Sequence, residues 1–118
     1  MKIDLLIADY FDKQHAVDLG YLLNSYAEDP MGGGTSLPAR IVENIAVELA
    51  RLPHAFSVIC YVDGTPAGLA NCFEGFSTYQ CKPLVNIHDL VVVKEFRGLG
   101  ISQLLLRKIE ETASKKGC

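Results

Sequence analysis

The stretch Val85-Asn86-Ile87-His88-Asp89-Leu90-Val91-Val92-Val93 runs directly into Lys94-Glu95-Phe96-Arg97-Gly98-Leu99-Gly100-Ile101-Ser102. It reads as an apolar strand, Leu84 to Val93, entering a glycine-rich turn that opens onto a helix. The first N–H groups of a helix have no intrahelical acceptor, and the helix dipole places its positive end at the same point. Such a junction suits a phosphate or another compact anion. The strand's nearly continuous apolar run is the pattern of a strand buried on both faces, so the junction predicts a sheet covered by helices.

The remainder of the chain supplies those neighbours. Ile3 to Ala8 has strand character, and Asp12 is placed to cap a helix whose face carries Ala16, Leu19, Gly20, Leu23 and Ala27. Asp29-Pro30 ends that helix, because proline bars its predecessor from helical geometry. Met31-Gly32-Gly33-Gly34-Thr35 is a flexible connection, and Ser36 and Pro38 mark a second helix. Its stripe is Pro38, Ile41, Val42, Ile45, Leu49 and Leu52, and Pro53 stops it. Phe56, Val58, Cys60 and Val62 then alternate with Ser57, Ile59 and Tyr61 up to Asp63-Gly64, a strong hairpin signal. A returning strand spans about Ala67 to Phe76, and Ser77 to Pro83 is a loop. The last helix puts Ile101, Leu104, Leu105, Ile109 and Ala113 on one side. The order β-α-α-β-β-β-α predicts an α/β fold with a mixed sheet in a single domain, 1–118.

Net charge is −3, from 11 basic and 14 acidic residues, which provides no field for nucleic acid. A phosphate would be held by local geometry instead. Cys60, Cys72, Cys81 and Cys118 form neither a C-x-x-C pair nor a metal-ligand spacing, so reduced thiols and no metal are expected. No apolar run approaches the ~20 residues of a membrane span, and Met1 to Ile7 lacks the form of a signal peptide. A cytoplasmic protein without membrane partners is the expectation.

Two nucleotide-binding patterns fail at the glycines. A P-loop requires a lysine after them, and a dinucleotide fingerprint requires a third glycine where Gln103 stands. Arg97-x-x-Gly100-x-Ser102 instead resembles the R/Q-x-x-G-x-G/A signature of the GNAT superfamily of N-acetyltransferases, with Ser102 a small departure from Gly/Ala. The preceding Asn86-x-His88-Asp89-Leu90-Val91-Val92 looks like the spermidine/spermine N-acetyltransferase branch. The resemblance covers essentially the whole chain, as the N-terminal three-quarters of such a domain.

The resemblance implies acetyl-CoA as co-substrate and a small-molecule primary amine as acceptor. Backbone amides of Arg97, Gly98, Leu99, Gly100, Ile101 and Ser102 would cradle the pyrophosphate. Leu90, Val91 and Val92 would pair with the pantetheine arm, one N–H polarising the thioester carbonyl. On this strand the branch commonly carries a carboxylate base. His88 stands at the matching position, followed by Asp89, and imidazole with its ordinary pKa of about 6.5 is able to take a proton there. Strict alternation places His88 with Asn86, Leu90 and Val92 and Asp89 with Ile87 and Val91, on opposite faces. The bland alternatives are a strand histidine satisfied by a backbone group and a carboxylate bonded to a neighbouring loop. Tyr79 and Cys81 border the acceptor side without an assigned role. Glu28 and Asp29 either attract a cationic acceptor or form a solvated helix end.

In the family a further strand, helix and strand follow the position matching Cys118, commonly with a tyrosine acid. The chain therefore reads as C-terminally shortened, either natively or through an interrupted reading frame. That would leave the Leu84–Val93 strand with an uncovered edge and favour a homo-oligomer. It also keeps open a non-catalytic acyl-CoA-binding or oligomerisation module.

Overall fold

A computed structural model of the protein describes residues 1–118. The elements follow the expected order: β1 (Ile3–Ile7), α1 (Lys13–Glu28), α2 (Ala39–Ala50), β2 (Ala55–Val62), β3 (Thr65–Ser77), β4 (Lys82–Val92) and α3 (Ile101–Lys115). Single turns of 3-10 helix at Pro30–Gly32 and Lys94–Phe96 complete it.

Local chemistry sets the boundaries. The Asp12 carboxylate accepts from the His15 N–H at 3.0 Å and caps α1. Ser36 does not cap α2: its hydroxyl donates to Glu28 Oε2 at 2.6 Å, and Pro38 precedes the helix. Asp63 and Gly64 both have positive φ, 50° and 80°, the mirror-image turn that matches strand twist in a two-residue hairpin.

The sheet order is β1-β2-β3-β4. The α/β class is as expected, but the expected mixture of strand directions is not found, since every pairing is antiparallel. Each strand here is reached from its sheet neighbour by a hairpin or by the α1–α2 excursion, and α3 follows the last strand. The β3–β4 hairpin is also longer than expected. Ser77 pairs with Lys82, so only residues 78–81 remain as a turn, with Cys81 at φ 56°.

Helices cover both faces of the sheet. On one face Ile101, Leu105 and Ile109 of α3 pack on Val58, Cys60, Ala70 and Cys72. On the other, Leu19 and Leu22 of α1 and Leu49 of α2 pack on Ile59, Leu69 and Val91. Leu22 was absent from the expected face of α1, and Asp18 is a buried carboxylate there.

One expectation is overturned outright. β4 is not buried on both faces: it is an edge strand in which only Val91 is buried. Its apolar run is the same whether a strand is central or lies at an edge, and only the topology decides between them.

Candidate functional site

The turn before α3 is built for open access to its backbone. Gly98 and Gly100 have φ of 88° and 77°, a region that side chains disfavour, and an added Cβ at either would meet no atom within 4 Å. Glycine is therefore required by conformation rather than by crowding. Gly100 precedes α3 without any side-chain cap, and the first helical bond runs from Leu104 N–H to the Gly100 carbonyl at 3.2 Å. No protein acceptor takes the N–H groups from Gly98 to Gln103. None of them is committed to a bond within the protein.

What lays this helix start onto the sheet is Gly68. A Cβ there would sit 2.9 Å from Ile101 Cγ2 and 3.2 Å from Leu105 Cδ1. The reading of the sequence passed over this residue, although a glycine inside a strand pattern signals close approach of another element.

Leu90, Val91, Val92 and Arg97, four of the expected cofactor-binding residues, come together around one cleft of about 290 Å³. Tyr26 from the last turn of α1, and Asp29 and Met31 just beyond it, also line it. Arg97 Nε donates to the Val92 carbonyl at 3.2 Å, and its Nη2 donates to Asp29 Oδ2 at 2.8 Å. The guanidinium first, and then the Met31 N–H, hold the Asp29 carboxyl below its ordinary range. Asp29 is therefore already paired with a cation, Arg97, while Glu28 accepts from the Ser36 hydroxyl.

His88 and Asp89 correct a second expectation. Asn71 pairs with Asp89 while Cys72 pairs with Ile87, so β4 carries a bulge and His88 has no partner. Alternation breaks at this point, and both side chains reach the face covered by α1 and α2. The His88 ring meets Phe73 edge-on with centroids 5.6 Å apart. The Asp89 carboxylate accepts from Asn71 Nδ2 at 3.1 Å. Both residues line a second cavity, of about 300 Å³, with Leu23, Ile45, Leu49 and Phe73. Asp89 is thus anchored by a neighbouring strand rather than by a loop, and His88 is exposed.

Tyr79 and Cys81 sit at the tip of the β3–β4 hairpin and line neither cavity. No group of three or more His, Cys, Asp or Glu side chains is placed to hold a metal. No helix is long and apolar enough to cross a membrane.

Comparison with known proteins agrees with this arrangement. The sequence profile described as Acetyltransferase (GNAT) family matches residues 19–118. An uncharacterised N-acetyltransferase of Methanocaldococcus jannaschii is 35% identical over 60 residues, which span 50% of this chain and 26% of that protein. Among solved structures, a ribosomal-protein-alanine N-acetyltransferase from Brucella melitensis superposes with a TM-score of 0.78 at 19% identity, over 98% of this chain and 74% of the other. A GNAT family acetyltransferase from Staphylococcus aureus gives a TM-score of 0.80 at 18% identity, over 100% and 82%. An aminoglycoside N-acetyltransferase in complex with CoA gives 0.76 at 20% identity, over 99% and 72%. At these identities the likeness to solved structures is one of fold. The profile match, carried through the glycine turn and the whole of α3, adds the family: this chain belongs to the acetyltransferase (GNAT) family.

Proposed function

We propose that the protein transfers an acetyl group from acetyl-CoA to the primary amine of a small molecule by direct attack. The observation that carries this reading is the row of unengaged N–H groups from Gly98 to Gln103, set beside the cleft lined by Leu90, Val91, Val92 and Arg97. The donor set fits a pyrophosphate, because each N–H is a fixed donor and neither glycine places a side chain in the approach. On the open strand edge Leu90 and Val92 turn backbone groups away from β3, which suits pairing with the amides of a pantetheine arm, while Val91 pairs with Leu69.

An alkyl amine resembling that of lysine has a pKa near ~10.4, so at neutral pH it arrives as an ammonium ion. His88 takes one proton from it, and Asp89 holds the cation beside His88. The neutral nitrogen attacks the thioester carbonyl, the C–S bond breaks, and the departing thiolate receives the remaining excess proton from nitrogen. The products are the amide and free CoA, with one proton passed from His88 to solvent. Turnover of acetyl-CoA with a panel of primary amines tests this directly. A chain that binds acetyl-CoA yet acetylates none of them refutes the transferase reading.

The motif around His88 supports kinship with the spermidine/spermine branch in its strand only, and does not carry that branch's acceptor. A second reading, a non-catalytic acyl-CoA-binding or oligomerisation module, is favoured by the open edge of β4, where Ile87 and Leu90 stand exposed. The same edge supports self-association through strand pairing in either reading. Sedimentation at micromolar concentration decides it, and a clean monomer contradicts self-association. The four free cysteines support a reducing, cytoplasmic setting.

A further inference from the structure

We infer that Tyr10, Ser57 and Asn71 are positioning residues that fix the Asp89 carboxylate as the single anchor for the acceptor's ammonium group, and that the acceptor is a compact monoamine bearing an apolar or aromatic substituent. The inference rests on the acetyl-transfer reading for the role of the cavity beside His88.

A chain of hydrogen bonds crosses the sheet beneath α1 and α2. Tyr10 Oη lies 2.8 Å from Ser57 Oγ, Ser57 Oγ lies 2.6 Å from Asn71 Oδ1, and Asn71 Nδ2 lies 3.1 Å from Asp89 Oδ2. The direction of every bond follows from its far end. A carboxylate only accepts, so Asn71 must turn its NH₂ to Asp89 and its oxygen to Ser57. Ser57 then spends its one proton on Asn71, which leaves Tyr10 to donate to Ser57. Burial keeps the Tyr10 hydroxyl protonated by raising its pKa, which preserves that donor. Ser57 and Asn71 are themselves buried, so no water competes for these bonds. The chain thus ends in a negative charge whose orientation is set from β2, two strands away, and from the β1–α1 connection beyond it. It occupies one oxygen of Asp89 and leaves the carboxylate's remaining acceptor sites for a ligand.

The cavity facing that carboxylate selects by what it lacks. Asp89 is the only carboxylate lining it, and Leu23, Ile45, Leu49 and Phe73 supply an apolar wall. A polyamine or an aminoglycoside would bring several ammonium groups against one counter-charge, and each surplus cation placed on apolar surface would lose hydration without compensation. A volume of about 300 Å³ falls at the small end of ligand sites. One cation with one apolar group fits both the charge and the size.

The test is an NMR titration of the full chain with phenethylamine and, separately, with spermidine. Wild type, Tyr10→Phe, Ser57→Ala and Asp89→Asn are compared, each first checked by its melting curve. Phenethylamine is expected to saturate and to move resonances of Leu23, Ile45 and Phe73, with spermidine at least about tenfold weaker. Ser57→Ala and Tyr10→Phe are each expected to weaken phenethylamine, Ser57→Ala by about fivefold, the scale of one neutral hydrogen bond. Both are expected to shift the Asp89 carboxyl carbon resonance, though neither residue touches Asp89. Asp89→Asn is expected to abolish selective binding. Spermidine binding as tightly as phenethylamine overturns the inference, as does an unmoved Asp89 resonance in folded Tyr10→Phe. Adding acetyl-CoA separates the two readings. Selective amine binding without any N-acetyl product refutes the transferase proposal and leaves only the cavity's monoamine selectivity standing, whereas equal acetylation of both amines overturns the inference and leaves the transferase proposal standing.

Discussion

Arg97 Nη2 and Asp29 Oδ2 lie 2.8 Å apart across 68 residues of sequence, tying the turn before α3 to the end of α1. The pair is exposed on the Arg97 side, so its contribution to folding is small. Its consequence is local: it forms one rim of the cleft that ends at the glycine turn, and it occupies a cation that a phosphate would otherwise attract.

Asp29→Asn should therefore leave the melting temperature nearly unchanged and tighten acetyl-CoA by roughly fivefold, the upper scale of an exposed ion pair. Titration calorimetry at low salt measures it, and added salt should shrink the difference. Because Arg97 depresses the Asp29 carboxyl, the pair persists throughout the neutral range. It is lost only as pH falls through that depressed value, and there the two proteins should converge.

Tyr61→Phe should be costly. Tyr61 Oη donates to Asp18 Oδ2 at 2.6 Å, and Asp18 is buried with Gln14 as its other side-chain donor. Removing the phenol leaves a buried carboxylate oxygen unpaired, at about 1–3 kcal/mol, or roughly 5–15 °C in melting temperature. Burial first, and then the Asp18 carboxylate, raise the pKa of the phenol. The pair's stabilisation is complete below tyrosine's ordinary value of 10.0 and is lost as pH rises toward the raised one. Alkaline melting curves of wild type and Tyr61→Phe should accordingly converge.

Thiol chemistry should divide the cysteines. Cys81 is exposed and Cys118 partly so, while Cys60 and Cys72 are buried. Burial, followed by the charge of Asp89, pushes the Cys72 thiol up to about 11, and burial also raises Cys60. Iodoacetamide at pH 8 followed by mass spectrometry should mark Cys81 first, with Cys60 and Cys72 unmodified until the protein unfolds.

Gly20→Ala reverses a familiar trend. Within a helix, alanine in place of glycine ordinarily gains up to about 1 kcal/mol. Here the new Cβ would lie 2.5 Å from the Val42 carbonyl oxygen, where α1 packs against α2. The backbones must separate, and an overpacking penalty of about 1–3 kcal/mol outweighs the propensity gain. Thermal denaturation should show a net loss, and a gain would contradict the crossing geometry.

Features encoded by punctuation were legible in the chain. The Asp12 cap, the Pro53 stop, the Asp63-Gly64 turn and the strand-turn-helix junction each follow from a local rule. Those that depend on register were not. Nothing in Ile87-His88-Asp89-Leu90 marks which residue the neighbouring strand will skip, so alternation separated His88 from Asp89 until pairing with Asn71 and Cys72 reunited them. The shallow burial of β4 was hidden for a similar reason, because an apolar run states affinity for burial and not how much cover the fold supplies. Ser57 and Asn71 carry no local signal of their partnership. Their hydrogen bond spans 14 residues and exists only once β2 and β3 align.

The central claim is that the turn from Arg97 to Ser102 binds acetyl-CoA, and calorimetric titration of acetyl-CoA into this chain tests it most directly, with Gly100→Glu as the comparison. Gly100 has positive φ and open space at its Cβ, so a glutamate there places strain and a negative charge at the N–H groups without disturbing the core. Saturable binding by the wild type, lost in a folded Gly100→Glu, is the predicted result. No binding by the wild type, or equal binding by both proteins, would contradict the account.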